Sequence, residues 1–165
     1  MQARQLTPPD QVRPLLQAAA LETTPLRLVS DSRAEREVCA CLVHHYGGAN
    51  RPFVALACSL VPAQLAEVML FGRPERAGYV ECADGGTLYL DEPDALPAGV
   101  QDRLQRLCAT AGFERTGETQ TRRARVRLIL GSPFRSPRAT RKPRPETGLL
   151  AGREVILAGP EAAAV

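Results

Sequence analysis

The sequence has no tryptophan, and aromatic residues make up only 4% of its 165 residues. The core of the protein must therefore be built mainly from Leu, Val and Ala. Hydrophobic residues make up 44% of the chain and charged residues 24%, which is typical of a soluble globular protein. A chain of this length is long enough for one domain with a continuous core.

Long hydrophobic runs are also missing. Residues 1–10 contain no apolar core like that of a secretory signal, and no run approaches the ~18 apolar residues of a membrane helix. The five cysteines are odd in number and irregularly spaced, which favours a reducing compartment over a disulfide framework. The net charge of +3 is too small to indicate nucleic-acid binding by itself. These features predict a cytoplasmic protein that does not act at a membrane.

The most informative stretch of the chain is residues 84–96. Within it, residues 88–90 form an apolar, β-prone run that is typical of a strand buried on both faces. Two acids, Asp91 and Glu92, follow this strand directly. At the carboxyl end of a central strand, such a pair is the Walker B arrangement, in which the first acid holds magnesium and the second polarises the attacking water. A solvated strand end is the alternative interpretation.

The residues around this pair resemble the central AAA+ domain of bacterial sigma-54-dependent transcription activators. The resemblance covers residues 15–157. It rests on these segments: Arg51-Pro52-Phe53-Val54-Ala55-Leu56-Ala57-Cys58, Leu70-Phe71-Gly72, Gly85-Gly86-Thr87-Leu88-Tyr89-Leu90-Asp91-Glu92, Leu96-Pro97, Val100-Gln101, Leu104, Gly112-Phe113-Glu114-Arg115-Thr116-Gly117, Thr119, Thr121 and Val126-Arg127-Leu128-Ile129.

Predicted helices and strands alternate along the chain. The elements are a helix that starts near Thr7-Pro8-Pro9-Asp10, strands at 26–29, 53–57, 88–90, 126–130 and 155–158, helices at 34–45, 62–70 and 97–111, and a hairpin of 113–115 with 121–125. Gly47-Gly48 is expected to stop the second helix. The alternation predicts an α/β fold, a three-layer αβα sandwich around a largely parallel five-stranded sheet. The resemblance implies a P-loop NTPase-like AAA+ core without a helical lid.

The chain is expected to divide at residue 25. Residues 1–24 are predicted to form an N-terminal helix and lead-in. Residues 25–160 are predicted to form a degenerate AAA+ core. A mobile basic loop rich in Pro and Arg is predicted at residues 131–148 of this core.

The resemblance places the phosphate loop, which would bind the nucleotide, at eight consecutive residues: Ser30, Asp31, Ser32, Arg33, Ala34, Glu35, Arg36 and Glu37. Such a loop needs glycines that let backbone N–H groups approach the phosphates, and a lysine that reaches the terminal ones. Here no glycine remains, Arg36 occupies the lysine position, and Glu35 adds a repelling charge. Arg36 either contacts a phosphate as a fork donor or belongs to an ordinary capped helix start. We favour loss of the phosphate site.

Other functional parts of the family are also altered. Ala57 replaces the asparagine that gates the catalytic glutamate, and Pro133 stands at the polar sensor position. Only residues 73–83 separate Gly72 from Asp84, so the loop that contacts the sigma factor is deleted. The resemblance therefore implies a Walker B remnant, Asp91 and Glu92, that has lost its partners.

Asp91 is consequently a weak magnesium candidate, because no phosphate remains for the metal to bridge. The retention of Asp91 and Glu92 reflects either recent descent or interactions with a helix N-terminus or an arginine. We assign no catalytic residue beyond this remnant.

Nine basic residues and no acid lie between Thr121 and Pro145, at Arg122, Arg123, Arg125, Arg127, Arg135, Arg138, Arg141, Lys142 and Arg144. Such a run is typical of a surface that binds nucleic acid weakly or an acidic protein. Phe134 is its one aromatic residue, so the run offers little surface on which nucleic-acid bases could stack. A solvated basic loop is the simpler interpretation.

The expected function is that of a degenerate, non-hydrolysing sigma-54-activator-like domain that regulates transcription through protein contacts. Its partner would be a protein, with another AAA+ activator subunit as one candidate, and no cofactor is expected. The alternative is a divergent ATPase that binds ATP and magnesium and activates sigma-54 promoters. A decaying gene fragment without function is the third interpretation.

Overall fold

The computed structural model describes residues 12–133 and 153–158. Its helices are α1 (Arg13–Ala20), α2 (Arg33–Gly48), α3 (Ala63–Phe71), α4 (Tyr79–Cys82) and α5 (Ala98–Thr110). Its strands are β1 (Leu26–Ser30), β2 (Phe53–Ala57), β3 (Thr87–Asp91), β4 (Gly112–Glu114), β5 (Thr121–Arg123), β6 (Arg127–Ser132) and β7 (Arg153–Ala158). No helix in this part of the chain is long and apolar enough to cross a membrane.

Five strands form one parallel sheet in the order β2-β3-β6-β1-β7. This arrangement confirms the predicted five-stranded parallel sheet. The carboxyl ends of parallel strands lie at one edge, and the register there places Asp91 of β3 between Ala57 of β2 and Gly131 of β6. Strands β4 and β5 pair antiparallel as the predicted hairpin.

Each face of the sheet is covered by helices and buries its own apolar cluster. On one face, Leu70 and Leu104 from α3 and α5 pack with Leu88 of β3. On the other face, Leu16 and Val43 from α1 and α2 belong to a second cluster. Successive side chains of a strand point to opposite faces, so the all-buried β3 supplies both clusters. These layers are the predicted αβα sandwich.

The last residue of the second helix was predicted three positions early. Helix α2 ends at Gly48, within the predicted glycine stop, and not at His45. Gly47 lies against the end of α1, where an added Cβ atom would be 3.1 Å from the Ala20 carbonyl oxygen. Glycine at this position therefore serves the close approach of two helices. The short helix α4 was not predicted at all.

The second wrong boundary is the start of the predicted basic loop at residues 131–148. Gly131 and Ser132 form the end of β6 and pair with β1, so this loop begins no earlier than Pro133. Residues 134–148 lie outside the described part of the chain. Glycine is needed at position 131 of β6 because a side chain there would collide with Asp91 and Tyr89 of β3.

Candidate functional site

A buried ion pair between Arg36 and Asp91 occupies the carboxyl edge of the sheet. Arg36 Nε donates to Asp91 Oδ1 at 2.8 Å, and Arg36 Nη2 donates to Asp91 Oδ2 at 3.0 Å. Arg36 Nη1 donates to the backbone carbonyl of Ser30. Both charged side chains are only 2% exposed. The guanidinium is therefore held by two parallel hydrogen bonds in a fork geometry, which is the strongest arrangement available to this pair of residue types.

Tyr89 adds a further donor to the same carboxylate. Because side chains two apart on a strand share a face, Tyr89 and Asp91 of β3 point to the same side of the sheet. The Tyr89 hydroxyl donates to Asp91 Oδ1 at 2.8 Å. Burial raises the pKa of Tyr89, and the Asp91 carboxylate raises it further, so the phenol remains a proton donor.

The Arg36 side chain remains charged although it is buried. Burial alone lowers the pKa of Arg36, but the hydrogen bonds and the negative charge of Asp91 more than offset this effect. The pKa of Arg36 is therefore raised above its ordinary value. The site is therefore a buried ion pair whose guanidinium donates on three sides and stays protonated.

The absence of a side chain at Gly131 leaves room for the Asp91 carboxylate and the Tyr89 hydroxyl. In the β3–β6 register Gly131 lies directly opposite Asp91. A Cβ atom added at Gly131 would lie 2.4 Å from Asp91 Oδ1 and 2.5 Å from the Tyr89 hydroxyl oxygen. No side chain other than hydrogen fits between these oxygens without moving them.

The start of α2 places Arg36 over the strand ends. A phosphate-loop motif has six residues before its lysine, and most of them form an open loop. Here Ser30 still belongs to β1 and α2 begins at Arg33, which leaves only Asp31 and Ser32 between strand and helix. In this conformation the connection between β1 and α2 is too short to wrap around a phosphate.

The amide groups at this helix start are also engaged internally. Ser32 is the N-cap, and its hydroxyl accepts a hydrogen bond from the Glu35 amide at 3.3 Å. The Ser30 hydroxyl donates to the Glu35 carboxylate and accepts from the Ser32 amide at 3.1 Å. This arrangement is a variant of the capping box, in which Glu35 supplies the negative charge that a bound phosphate would otherwise bring.

A magnesium ion on Asp91 would compete with Arg36 for the same two oxygens. Each carboxylate oxygen of Asp91 already accepts from Arg36, and Oδ1 also accepts from Tyr89. In the part of the chain that the structure describes, no group of three or more His, Cys, Asp and Glu residues could hold a metal ion. The donor set at this edge therefore does not fit a metal that bridges Asp91 to a phosphate.

Glu92 and Arg33 form the exposed rim of the network. Glu92 adopts a left-handed backbone conformation (φ 53°), and its amide donates to the Gly131 carbonyl at 2.8 Å. Its side chain is 40% exposed, with Oε1 3.7 Å from Arg36 Nη2. Arg33 is half exposed, and its Nε lies 3.6 Å from Asp91 Oδ2. These contacts are longer than hydrogen bonds and contribute less than the Arg36 pair.

The segment between Gly72 and Asp84, from which the sequence comparison with the family predicts a missing loop, is a short turn followed by α4. Arg73 and Arg76 pair backbone to backbone in both directions at 2.9 Å. A Cβ atom on Gly78 would be 2.3 Å from the Gly72 amide nitrogen, so the chain doubles back tightly here. No protruding loop exists between these residues.

Arg115 ties this turn to the rest of the domain. Its Nε and Nη2 donate to the two oxygens of Glu81 at 2.7 and 2.9 Å, and Nη1 donates to the Pro74 carbonyl at 2.8 Å. Hydrogen bonds from Arg115 hold the pKa of Glu81 below its usual value. The Thr116 amide also donates to the Gly72 carbonyl at 3.0 Å. The turn is thus held at several points.

The structure brings only some of the predicted site residues together. Arg36 and Asp91 are in contact, Glu92 is adjacent, and Ser30, Ser32 and Glu35 form the cap. Ala34 and Glu37 lie exposed on α2, and Asp31 is exposed in the connection between β1 and α2. Ala57 lies beside Asp91 in the sheet, and Pro133 directly follows β6.

Four residues of the predicted basic run lie in the described part of the chain. Arg122 pairs with Glu118 at 3.0 Å, and Arg127 donates to the carbonyls of Ala19 and Ala20 at the end of α1. Arg123 and Arg125 are exposed. The other five basic residues lie outside the described residues, so nucleic-acid binding by this run stays a prediction.

Sequence reasoning missed two members of the network. Tyr89 was assigned only to an apolar strand, although its spacing of two from Asp91 indicated a shared face. Gly131 was assigned to the basic loop because residues 131–148 are rich in Pro and Arg. Neither the Tyr89 hydroxyl contact nor the missing Cβ at Gly131 is visible in a local pattern.

The sheet order, the helices on both faces and the acids that follow a buried strand define an α/β domain of the AAA+ P-loop NTPase class. The sequence model described as the Sigma-54 interaction domain matches residues 9–142, and the chain belongs to this family. A solved structure with the same fold is NtrX from Brucella abortus in complex with ATP, with a TM-score of 0.74 and 28% identity. That alignment covers 82% of this chain and 31% of the NtrX chain.

Two curated relatives are regulatory proteins. The pathogenicity locus probable regulatory protein HrpR of Pseudomonas syringae pv. syringae is 36% identical over 110 residues, which are 61% of this chain and 35% of HrpR. The regulatory protein LuxO of Vibrio cholerae serotype O1 is 32% identical over 124 residues, which are 69% of this chain and 27% of LuxO. This chain therefore spans about a third of the length of the relatives that it matches.

Proposed function

We propose that the chain is a non-hydrolysing member of the Sigma-54 interaction domain family, and that it acts in transcription regulation through protein contacts. The observation that carries this proposal is the bidentate pair of Arg36 with Asp91. The resemblance to the family places Arg36 at the phosphate-binding lysine and Asp91 at the magnesium-binding acid. The two side chains are hydrogen-bonded to each other, so each charge has a partner within the chain.

The energetics favour this internal pair over a bound metal nucleotide. Breaking a buried ion pair by withdrawing one partner costs about 3–5 kcal/mol, because an uncompensated charge remains buried. Magnesium binding at Asp91 would have to overcome this cost. Its affinity would fall by about two to three orders of magnitude or more, since each 1.4 kcal/mol is a factor of ten.

The turn between Gly72 and Asp84 supports a regulatory role that differs from that of a complete activator. Arg115, Glu81 and Pro74 hold this segment flat against the domain where a contact loop would have to rise. The protein partner would then be reached through another surface. Another activator subunit of the same family is one such partner, because it shares the fold that this domain presents.

The alternative function is that of a divergent ATPase. It is favoured by the retention of Asp91 and Glu92 and by the relative NtrX, whose solved structure is a complex with ATP. This alternative requires Arg36 to leave Asp91 and the first turn of α2 to unwind. The amides of Ser32 and Glu35, which a phosphate would need, now donate to the hydroxyls of Ser30 and Ser32. Glu92 is the residue that would then orient water.

ATP turnover by the purified protein tests the proposal. We expect phosphate release no faster than that of the Glu92→Gln variant, because no residue set holds the metal nucleotide. Glu92 is 40% exposed, so this substitution should leave the fold intact. Turnover well above background that disappears in Glu92→Gln would establish the ATPase alternative instead.

A further inference from the structure

A cleft of about 820 Å³ lies at the amino edge of the sheet, opposite the Arg36 network. It is bounded by the end of α1, the end of α2, the starts of β3 and β6, and the end of α5. Ligand pockets for small molecules commonly have volumes of about 300–1,000 Å³. The cleft is therefore large enough for a small organic molecule, and none of its residues belongs to the degenerate nucleotide site.

The polar lining of this cleft is strongly cationic. Arg51, Arg125 and Arg127 line it, and Glu22 is the acid among its described lining residues. Arg51 and Arg125 are exposed, and neither guanidinium pairs with a carboxylate within residues 12–133 and 153–158. Three guanidinium groups around one cleft raise the local concentration of anions.

Arg127 carries a donor that the described part of the chain does not satisfy. Its Nη1 donates to the Ala20 carbonyl at 2.9 Å, and its Nη2 donates to the Ala19 carbonyl. Its Nε is buried and has no acceptor in that part of the chain. Buried polar groups are nearly always hydrogen-bonded, so an unsatisfied one indicates an acceptor such as an anionic oxygen or water.

His44 is the histidine among the lining residues of the cleft. Its Nδ1 lies 3.0 Å from Thr87 Oγ1, and its ring packs 5.1 Å from that of Phe53. Burial lowers the pKa of His44, and the positive charges of His45, Arg127 and Arg51 lower it further, against a hydrogen bond with the Arg51 backbone that raises it. An anion in the cleft would oppose these charges and favour protonated His44.

The rest of the lining is apolar. Leu21, Leu107, Cys108 and Val126 form part of the wall. Leu21 is 85% exposed, which is high for a large hydrophobic side chain. The cleft therefore presents cationic groups and an apolar surface side by side.

We propose that this cleft binds a small amphiphilic anion, a molecule with a carboxylate, sulfonate or phosphate group on an apolar body. The exposed guanidinium groups of Arg51 and Arg125 attract the charged group, and the charge of Arg127 adds to this attraction. The apolar wall covers the body. This assignment does not depend on whether the domain hydrolyses ATP.

Fluorescence titration with anilinonaphthalene sulfonate, an aromatic sulfonate, tests the proposal on the intact chain. The test variant is the double substitution Arg51→Gln with Arg125→Gln. The matched control is Arg73→Gln with Arg76→Gln, which removes the same charge from exposed positions outside the cleft. The neutral N-phenylnaphthylamine serves as the uncharged probe, and thermal unfolding checks that every variant is folded.

We expect one saturable site for the sulfonate. Its affinity should fall about fivefold or more in the cleft variant and remain unchanged in the control. The neutral probe should bind equally to all three proteins. Equal sulfonate binding by both double variants, or no saturable binding to the wild type, would overturn the proposal.

The pH dependence gives an independent readout. If the anion raises the pKa of His44, binding takes up a proton, and the affinity must increase as the pH falls from about 8 to about 5. The sulfonate itself does not titrate in this range. The His44→Gln variant should bind with little pH dependence. A wild-type affinity that is independent of pH, or an equal dependence in His44→Gln, would contradict an anion site beside His44.

Discussion

Replacing Arg36 with Ala is expected to lower the free energy of unfolding by about 3–5 kcal/mol. The substitution leaves Asp91, which is 2% exposed, as an uncompensated buried carboxylate. It also removes the donor to the Ser30 carbonyl and leaves a void in place of one of the largest fully buried side chains of the domain. Chemical denaturation followed by circular dichroism measures this change.

Arg33→Ala is the matched control for the Arg36 substitution. Arg33 lies on the same turn of α2, but its side chain is half exposed. Its Nε is 3.6 Å from Asp91 Oδ2, which is longer than a hydrogen bond. Its loss should change the stability by about 0.5 kcal/mol or less. A double-mutant cycle with Asp91→Leu should show that removing both charges costs less than the sum of the single losses. Equal effects of Arg33→Ala and Arg36→Ala would show that the pair does not stabilise the fold.

Gly131→Ala is expected to destabilise the protein by about 1–3 kcal/mol through overpacking. The new methyl group would lie 2.4 Å from Asp91 Oδ1 and 2.5 Å from the Tyr89 hydroxyl oxygen, distances that force both side chains to move. Because Asp91 is tied to Arg36, the displacement also weakens the ion pair. The measurement is again the free energy of unfolding.

Gly99→Ala provides the matched control in the same protein. Gly99 lies near the start of α5, and a Cβ atom added there meets nothing within 4 Å. This substitution should be neutral or stabilising, since alanine is the better helix former. Tyr89→Phe in the Gly131→Ala background should restore part of the lost stability, because it removes one of the two clashing oxygens. A tolerated Gly131→Ala would mean that the strand ends are less crowded than the structure indicates.

The fold was largely predictable because its signals are local and repeated. Short apolar runs alternate with helical periodicity along the chain, which predicts a parallel sheet covered by helices. The bounds of β2 agree with the structure, and β3 extends the predicted run by one residue at each end. The end of α2 was predicted three residues early because both glycines were placed outside the helix, whereas Gly47 lies in its last turn against the end of α1.

The sequence predicted which residues belong to the site, but it did not predict the contacts between them. Arg36 and Asp91 are 55 positions apart in the sequence. Their contact depends on where the first turn of α2 lies relative to the carboxyl edge of the sheet. The sequence left Arg36 either as a phosphate ligand or as part of a plain helix start, and its bond to Asp91 follows from tertiary packing. Tyr89 and Gly131 likewise acquire their roles only through the register of β3 with β6.

The cleft at the amino edge illustrates the same limit. Arg51, Arg125 and Arg127 come from two separate segments, and the sequence grouped only the latter two, as parts of a basic run. In the structure Arg127 caps α1 while Arg51 and Arg125 stand exposed around the cleft. Charge patterning along a chain therefore identified basic residues without identifying the surface that they share.

An equilibrium titration of the protein with a fluorescent ATP analogue and magnesium shows whether Arg36 keeps a metal nucleotide away from Asp91. NtrX, whose solved structure contains ATP, serves as the positive control. Since Arg36 holds both oxygens of Asp91, we predict no saturable binding that depends on magnesium at concentrations that saturate NtrX. Tight, magnesium-dependent binding to this chain would mean that Arg36 releases Asp91 for the metal, and that the nucleotide site is still functional.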